Sequence, residues 1–318
     1  MNNLLENKEL KGRVALVSGG ARGIGLAITK SLVSLGAKVV IADVGSSING
    51  DTFDPSVAES VAHEIGNNTN VYTDSIADPL TAQAAVELAI KKFGGLDILV
   101  NNAAILRDSF IFKSNPEDFD AVLKTNLAGA WYLTNAAAPI MRQHSKENRG
   151  GEPYNWGRVV NITSTAGFYG NYGQSSYASA KSGMLGLMRT TAMDLLRAGI
   201  TCNAVAPFAA TRVTETIVPA NDEQSIYKER ALKISPNHVA MVVSWLCSLN
   251  GQNINGQLFG VRGREVFLFS QPRPVAMLVN NDTDWNIDSL NTSAAEIFSP
   301  HYTDLRTDLE AFNTEPNV

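Results

Sequence analysis

A tyrosine and a lysine four positions apart, Tyr177 and Lys181, can together move a proton at neutral pH. Residues at i and i+4 of a helix lie one turn apart on the same face. A free tyrosine titrates near pH ~10 and is a poor base, but a neighbouring ammonium stabilises the phenolate and lowers its pKa. Ser164 follows a predicted strand, from which its hydroxyl can hydrogen-bond a substrate oxygen as charge develops there. These residues predict acid/base catalysis with Tyr177 as the proton carrier.

Each of these residues also has an ordinary alternative role. A surface helix often carries tyrosine and lysine at this spacing, and a serine after a strand is usually a turn residue. Only their joint position downstream of a dinucleotide-binding turn favours the catalytic interpretation.

That turn is the run Gly19-Gly20-Ala21-Arg22-Gly23-Ile24-Gly25, between the first predicted strand and the first predicted helix. Glycines there let the backbone turn sharply and approach a pyrophosphate, which lies at the positive end of the helix. Glycine-rich turns also serve plain packing, but the flanking strand and helix favour a cofactor site. We predict cofactor contacts from Gly19, Arg22, Gly23, Ile24 and Gly25.

Asp43 ends the second predicted strand, 18 positions after Gly25. A carboxylate there can accept hydrogen bonds from the adenosine ribose of NAD and repels the extra phosphate of NADP. Two features point elsewhere: an aspartate at a strand end can cap the loop backbone, and Arg22 can pair with a phosphate. Because a carboxylate on the ribose should dominate, we predict NAD as the cofactor.

Further cofactor contacts are expected where later strands end, since ligands of open α/β sheets bind at that edge. Asp74 and Ser75 follow the third strand, where Asp74 or Ile76 can touch the adenine. The Asn101-Asn102-Ala103-Ala104 run follows the fourth strand. An asparagine pair can also join two loops through side-chain-to-backbone bonds. We expect both roles, with Asn101 nearest the cofactor, and we predict further contacts from Ala103 and, on the fifth strand, Ile162.

The elements that must position these residues alternate between short β-rich runs and longer helical segments, which predicts an α/β fold. The fold class is a Rossmann-type, doubly wound parallel sheet of about seven strands with helices on both faces, plus a C-terminal extension. Most strands are nearly continuous apolar runs, as in sheets covered on both faces. Strands are predicted at 14–18, 39–43, 70–73, 98–100, 158–162, 201–205 and 257–261, and helices at 23–35, 56–66, 79–93, 116–143, 174–198 and 225–249.

Composition narrows the class of partner. The net charge of −5 gives no broad basic surface for nucleic acid or an anionic membrane. Two cysteines and four scattered histidines show no disulfide framework and no metal-ligand spacing, so we expect no metal. The start of the chain lacks the apolar stretch of a signal peptide, and the longest apolar run, at 239–249, is too short to span a bilayer. We therefore expect a cytoplasmic protein.

The order of SGGARGIG, NNAA, Asn126 in KTNLAG, Ser164 and YASAK resembles the short-chain dehydrogenase/reductase family over residues 10–265, with the family's gap of 13 residues between Ser164 and Tyr177. This resemblance implies a catalytic tetrad of Ser164, Tyr177, Lys181 and Asn126. It assigns proton transfer to Tyr177 and the carbonyl to Ser164. It places Lys181 on the nicotinamide ribose and Asn126 on a relay water.

The resemblance also implies that the NAVAP run ending at Pro207 faces the nicotinamide. Two departures from the family pattern stand out. Ser18 replaces the usual threonine but keeps the hydroxyl. Phe208-Ala209-Ala210 replaces the usual glycine after Pro207, which leaves the shape of that loop open.

Four stretches, AILRDSF, GFYGNYGQSSYASAK, NAVAPFAATRVT and the loop after Asp43, resemble more closely the (3R)-hydroxyacyl-CoA dehydrogenase unit of peroxisomal multifunctional β-oxidation enzymes and its bacterial relatives. That subgroup oxidises 3-hydroxyacyl-CoA thioesters with NAD, including steroid side-chain intermediates, and works as a homodimer. The resemblance implies a hydrophobic substrate, here a CoA thioester, and a homo-oligomer. A free secondary alcohol, such as a hydroxysteroid, remains open, and so does a non-catalytic dinucleotide-binding module.

We divide the chain into two parts, a dehydrogenase domain and a C-terminal extension. Residues 1–265 form the dehydrogenase domain, whose substrate lid at 208–235 includes Thr211, Thr214, Ile217, Val218 and Ile226. These side chains either line the pocket or only pack the lid on the core. Residues 266–318 form an extension in which Leu305, Leu309 and Phe312 share a helical face, so it can dock on the domain.

Overall fold

The computed structural model describes residues 9–216, 218–219, 221–281 and 284–318. In this part of the chain eight strands form one sheet in the order β3-β2-β1-β4-β5-β6-β7-β8. The strands are β1 (Val14–Ser18), β2 (Lys38–Ala42), β3 (Thr69–Tyr72), β4 (Ile98–Asn101), β5 (Arg158–Ile162), β6 (Thr201–Phe208), β7 (Leu258–Arg262) and β8 (Glu265–Leu268). The first seven are parallel, and β8 pairs antiparallel with β7.

The helices are α1 (Gly23–Ser34), α2 (Ser56–Ile65), α3 (Pro79–Phe93), α4 (Pro116–Leu123), α5 (Gly129–Lys146), α6 (Ala166–Tyr169), α7 (Ser175–Asp194), α8 (Arg212–Thr216), α9 (Asp222–Leu232), α10 (Asn237–Cys247), α11 (Ile287–Ile297) and α12 (Asp308–Ala311). A π-helical turn, Lys124–Ala128, joins α4 to α5. Short 3₁₀ turns lie at Leu196–Ala198, Leu249–Gly251 and Ser299–His301.

Helices cover both faces of the sheet because alternate strand residues point to opposite faces. Ala15 and Val17 of β1 pack in one core with side chains of α1, α2 and α10. Val14 and Leu16 of the same strand pack in a second core with side chains of α3, α5 and α7. The doubly wound α/β architecture predicted from the sequence is confirmed.

Two predicted helices are divided in the structure. The π-helical turn interrupts the helix predicted at 116–143. The helix predicted at 225–249 is α9 followed by α10, with Pro236 between them, because a proline disfavours helical backbone in the residue before it. Side chains cap the N-termini of α3 and α4: Asp78 accepts from the backbone of Leu80, and Asn115 accepts from that of Asp118.

The C-terminal region begins within the sheet. The predicted boundary between residues 265 and 266 falls inside β8, so the eighth strand, which the sequence did not predict, lies across it. Farther on, α12 packs back onto the domain, whereas the side chains of α11 stay on the surface. Among the described residues, no helix combines the length and the apolar character needed to cross a membrane.

Candidate active site

A cavity of about 920 Å³ opens at the carboxyl edge of the sheet. Its walls come from the turn after β1, from the ends of β2, β4, β5 and β6, from α7 and from the lid helix α9. Residues predicted for catalysis and residues predicted for the cofactor line this one cavity. They include Gly19, Arg22, Asp43, Asp74, Ser75, Ser164, Tyr177 and Lys181.

The turn between β1 and α1 has the geometry that a pyrophosphate requires. Gly23 has a positive φ of 51°, which favours glycine. At Gly25 a Cβ would lie 1.9 Å from the main-chain oxygen of Gly19, so no side chain fits there. Gly19, Arg22, Gly23, Ile24 and Gly25 all line the cavity at the N-terminus of α1. The residues present therefore fit a dinucleotide.

Asp43 holds this turn against the loop that follows β2. Its Oδ2 accepts from the Ala21 amide at 2.9 Å, and its Oδ1 accepts from the Gly45 amide at 2.8 Å. The backbone-capping alternative is thus present, while the residue also lines the cavity where a ribose would lie. The Arg22 guanidinium donates to the main-chain oxygen of Ser46 at 3.0 Å, and that of Arg212 donates to the same oxygen at 3.3 Å.

The asparagine pair after β4 is arranged differently from the expectation. Asn101 is 2% exposed, and its amide nitrogen donates to Asn161 and Thr134 inside the core, so its side chain does not line the cavity. Asn102 lines the cavity instead and donates to the main-chain oxygen of Gly19 at 2.9 Å. The prediction that Asn101 lies nearest the cofactor is wrong, because successive strand residues face opposite sides.

The other predicted cofactor contacts lie on the cavity wall. Ala103 and Ile162 line it, as does Pro207 at the end of β6. Asp74 lies next to Tyr72, whose pKa is raised to about 12 by burial and by this carboxylate. Earlier in the NAVAP run, Asn203 bonds to the loop before β7 and does not line the cavity.

Tyr177 and Ser164 form the reacting end of the cavity. Burial, together with the carboxyls of Asp108 and Asp308, raises the pKa of Tyr177 to about 12. Ser164 follows β5, and its neighbouring hydroxyl acts in the opposite direction and lowers the pKa of the phenol, but burial outweighs it. The expectation of a lowered pKa is wrong, because burial removes water from the phenol and disfavours its charged form.

Lys181 is held from two sides. Its Nζ donates to the main-chain oxygen of Ile162 at 2.8 Å, and its own main-chain oxygen accepts from Thr163 at 2.8 Å. The side chain is 2% exposed, and burial lowers its pKa to about 8. At Gly167 of α6 a Cβ would lie 2.8 Å from the Ser182 amide, so this glycine lets α6 approach α7.

Asn126 lies in the π-helical turn, and its side chain is directed at Ile105. Its Oδ1 accepts from the Ile105 amide at 2.8 Å, and its Nδ2 donates to the Ile105 oxygen at 2.9 Å. The residue is 1% exposed and does not line the cavity. The structure therefore places its side chain as a brace between α5 and the strand-end loop, not at the reacting atoms.

The lid contributes part of its predicted set. Thr211, Thr214 and Val218 line the cavity, although the Thr214 hydroxyl also bonds to the Ala209 oxygen at 2.8 Å and so packs the lid on the core. Ile226 is 45% exposed and does not line it, and Ile217 lies outside the described residues. On α9 the lining side chains are those of Gln224, Tyr227 and Ala231.

The C-terminal region supplies two residues to the cavity, Asp308 and Leu309. Docking of this region, through Leu309 and Phe312, was among the possibilities from the sequence, but Leu305 is 93% exposed and takes no part. Asp308 was missed, because an isolated aspartate in a polar segment gives no signal of its own. The only signal in the sequence was its position next to Leu309 and one helical turn before Phe312, two apolar residues expected to dock.

The arrangement of a glycine turn and a Ser-Tyr-Lys cluster in one cavity agrees with the similarity of the chain to known proteins. The family described as short chain dehydrogenase matches residues 13–224. The chain belongs to the short-chain dehydrogenase/reductase family. It is an oxidoreductase acting on CH–OH groups, and members of this family bind nicotinamide dinucleotides.

Individual relatives of this short-chain dehydrogenase/reductase agree with the finer resemblance. "Hydroxyacyl-CoA dehydrogenase ChsB1" of Mycobacterium tuberculosis is 34% identical over 92% of this chain and 90% of that protein. "Peroxisomal multifunctional enzyme type 2" of Drosophila melanogaster is 36% identical over 74% of this chain, which spans 36% of that longer protein. The solved 3-ketoacyl-(acyl-carrier-protein) reductase from Brucella melitensis, complexed with NADH, has a TM-score of 0.70 at 28% identity, covering 80% of this chain and 98% of that one. The resemblance to the short-chain dehydrogenase/reductase family and the closer resemblance to hydroxyacyl-CoA dehydrogenases of the peroxisomal multifunctional type are confirmed.

Proposed function

We propose that this short-chain dehydrogenase/reductase oxidises (3R)-3-hydroxyacyl-CoA thioesters to 3-ketoacyl-CoA with NAD. The observation that carries the proposal is that Ser164, Tyr177 and Lys181 line the same cavity as the glycine turn, with the Ser164 hydroxyl near enough to the phenol to lower its pKa. A secondary alcohol bound there would have its oxygen beside both hydroxyls, in a cavity that Pro207 also lines.

The chain's residues then have distinct roles in oxidation. The Tyr177 phenolate takes the proton as the substrate O–H bond breaks, and Ser164 donates a hydrogen bond to the same oxygen. The nicotinamide ring, when bound, accepts the hydride released as the C–H bond breaks. Lys181 places a positive charge 5.6 Å from the Tyr177 ring, which favours the phenolate. Asn126 braces the loop at Ile105 and, as the family resemblance implies, marks the place of a relay water.

The choice of NAD rests on Asp43. Its carboxylate lines the cavity beside the glycine turn, where it can accept from a ribose hydroxyl and repels a phosphate. Arg22 and Arg212 lie nearby, but both guanidinium groups donate to the Ser46 main chain.

The choice of a CoA thioester rests on the relatives. The Mycobacterium tuberculosis relative, which matches over nine-tenths of its length, is named a hydroxyacyl-CoA dehydrogenase. The cavity is open enough for a long substrate, and Leu309, Phe208 and Val218 give its substrate end apolar walls. A free secondary alcohol such as a hydroxysteroid uses the same catalytic residues and is the second candidate.

A paired assay separates the two candidates. NADH formation is followed with (3R)-3-hydroxyacyl-CoA, with its 3S isomer and with free secondary alcohols of similar size. The proposal expects turnover of the 3R thioester above that of the other two classes by at least tenfold. In Tyr177→Phe, turnover should fall at least 10³-fold while NADH still binds. Turnover of free alcohols alone would reject the thioester, and full activity of Tyr177→Phe would reject the mechanism.

A further inference from the structure

The C-terminal segment Thr307–Val318, called here the tail, is fastened to the domain at several points. The Phe312 ring lies 4.8 Å from the Phe208 ring and 5.5 Å from the Phe267 ring, measured between ring centres. The Arg262 guanidinium of β7 donates to both the hydroxyl and the main-chain oxygen of Thr314. One of these contacts, that of the Phe312 ring, is made to Phe208, the residue that replaces the family's usual glycine.

The tail is also tied to the lid. Arg230 of α9 donates to the main-chain oxygen of Asn313 at 2.9 Å and forms an ion pair with Glu315 at 3.1 Å. Lys233, just after α9, forms a second ion pair with Glu315 at 3.0 Å. The tail thus connects the lid helix α9 to strand β7. These contacts hold Asp308 and Leu309, near the start of the tail, at the cavity wall.

Asp308, at the start of the tail, presents a carboxyl group to the substrate end of the cavity. It is 7% exposed, and its Oδ2 accepts from the Thr165 hydroxyl at 2.6 Å. Its Oδ1 accepts from the Leu309 amide at 3.0 Å. Burial raises the pKa of this carboxyl, whereas both hydrogen bonds favour the ionised form. Its field reaches Tyr177 and Tyr227, since it helps to raise the pKa of each phenol.

We propose that Asp308 is a specificity-determining residue of this dehydrogenase, which excludes substrates with an anionic group near the reacting carbon and accepts neutral ones. The proposal deepens the proposed function, because a 3-hydroxyacyl thioester is neutral at the position where the free 3-hydroxy acid carries a carboxylate. A second carboxyl, Asp108, lines the same cavity and is paired with Gln174 at 2.7 Å. The Lys181 Nζ lies 5.6 Å from the Tyr177 ring centre and donates to the main-chain oxygen of Ile162.

The physical reason is the repulsion between like charges at a carboxylate that is itself buried. Like charges repel more strongly in the low effective dielectric of a protein interior than in water, so at least a tenfold difference in relative affinity is expected between the charged and the neutral member of a pair. A hydrogen-bond donor, such as an amide or hydroxyl group of a neutral substrate, is attracted to the same carboxylate.

The test compares acetoacetyl-CoA with acetoacetate, and methyl 4-acetylbenzoate with 4-acetylbenzoate, as NADH-dependent substrates and as ligands of the enzyme–NADH complex. Each pair presents one ketone with and without a nearby carboxylate. In Asp308→Asn, which keeps the shape of the side chain, the preference for the neutral member should fall at least tenfold. Asp304→Asn, an exposed aspartate four positions earlier, is the matched control and should leave the preference unchanged.

The outcomes separate this inference from the proposed function. If the wild type reduces only the aryl ketones, the thioester assignment fails, and the aryl pair still tests Asp308. Because binding of each pair to the enzyme–NADH complex is measured directly, the test does not require turnover. A preference that changes less than threefold in Asp308→Asn, in binding as in turnover, overturns the proposal.

Discussion

The Nζ atom of Lys181 lies 5.6 Å from the centre of the Tyr177 ring and donates to the main-chain oxygen of Ile162 at 2.8 Å. The lysine therefore acts on the phenol through space, while its own position is fixed by β5. Burial lowers the pKa of Lys181 to about 8 and raises that of Tyr177 to about 12, so both groups are pushed toward their neutral forms.

The first prediction concerns Ser164 and pH. Oxidation needs the Tyr177 phenolate, whose pKa is raised, so kcat/KM for the alcohol should rise with pH across the alkaline range. Ser164→Ala removes the neighbouring hydroxyl that lowers this pKa, so the rise should move to higher pH. We also expect about a 10²- to 10³-fold loss of kcat, as for the loss of one oxyanion donor. Ser179→Ala, on the exposed face of the same helix, serves as control, and an unshifted profile in Ser164→Ala would contradict the prediction.

The second prediction separates stability from activity at Lys181. Its pKa of about 8 in the folded protein is below the ordinary 10.5, so burial of the charged form costs stability. That cost is full below pH 8 and disappears as the pH rises from 8 to 10.5. Lys181→Met should therefore unfold at an equal or higher temperature than the wild type near pH 7, with the difference shrinking toward pH 10, although activity is lost. Thermal unfolding across this range checks it, and a lower Tm at pH 7 would refute it.

The third prediction concerns the cofactor preference. Asp43→Asn removes the negative charge beside Arg22 and Arg212, so the ratio of kcat/KM with NAD to that with NADP should fall at least tenfold. One hydrogen bond to the turn is also lost, at about 1 kcal/mol of unfolding free energy. Asp51→Asn, exposed in the same loop, is the control. Wild-type turnover that is at least as efficient with NADP would reject the NAD assignment.

The fourth prediction distinguishes the two asparagines after β4. Asn101→Ala should lower the unfolding free energy by about 1–3 kcal/mol, because the buried Asn161 Oδ1 loses its donor, while Thr134 keeps its bond to Ala130. Its KM for the cofactor should stay near the wild-type value. Asn102→Ala should do the opposite and raise that KM, because Asn102 holds the Gly19 oxygen of the glycine turn. Equal effects of both changes on KM would mean that the two roles are not separate.

Much of the fold and the catalytic cluster could be predicted because the signals are local. The helix predicted at 79–93 is α3, whose start is fixed by Asp78 and Pro79. Tyr177 and Lys181 lie on one helix, so their spacing alone brings them together, and Ser164 follows a strand whose apolar run marks its end. The glycine turn likewise lies between two adjacent elements.

The features that sequence reasoning missed depend on contacts between distant residues. Which asparagine faces the cofactor depends on the alternation of side chains at the end of β4. The direction of the Tyr177 pKa depends on how much water the folded cavity excludes. Asp308 enters the site only because the tail docks on Phe208 and the lid, so that Asp308 meets Thr165, 143 positions earlier in the chain.

The sequence by itself therefore determined the reaction class and the residues that carry it, since adjacent elements and helical spacing position them. Only the tertiary structure decided that burial raises the pKa of the Tyr177 phenol and that Asp308 and Leu309 form part of the cavity wall. The physical reason is that burial and charge at one point depend on every segment packed there, including a tail more than 100 residues away along the chain.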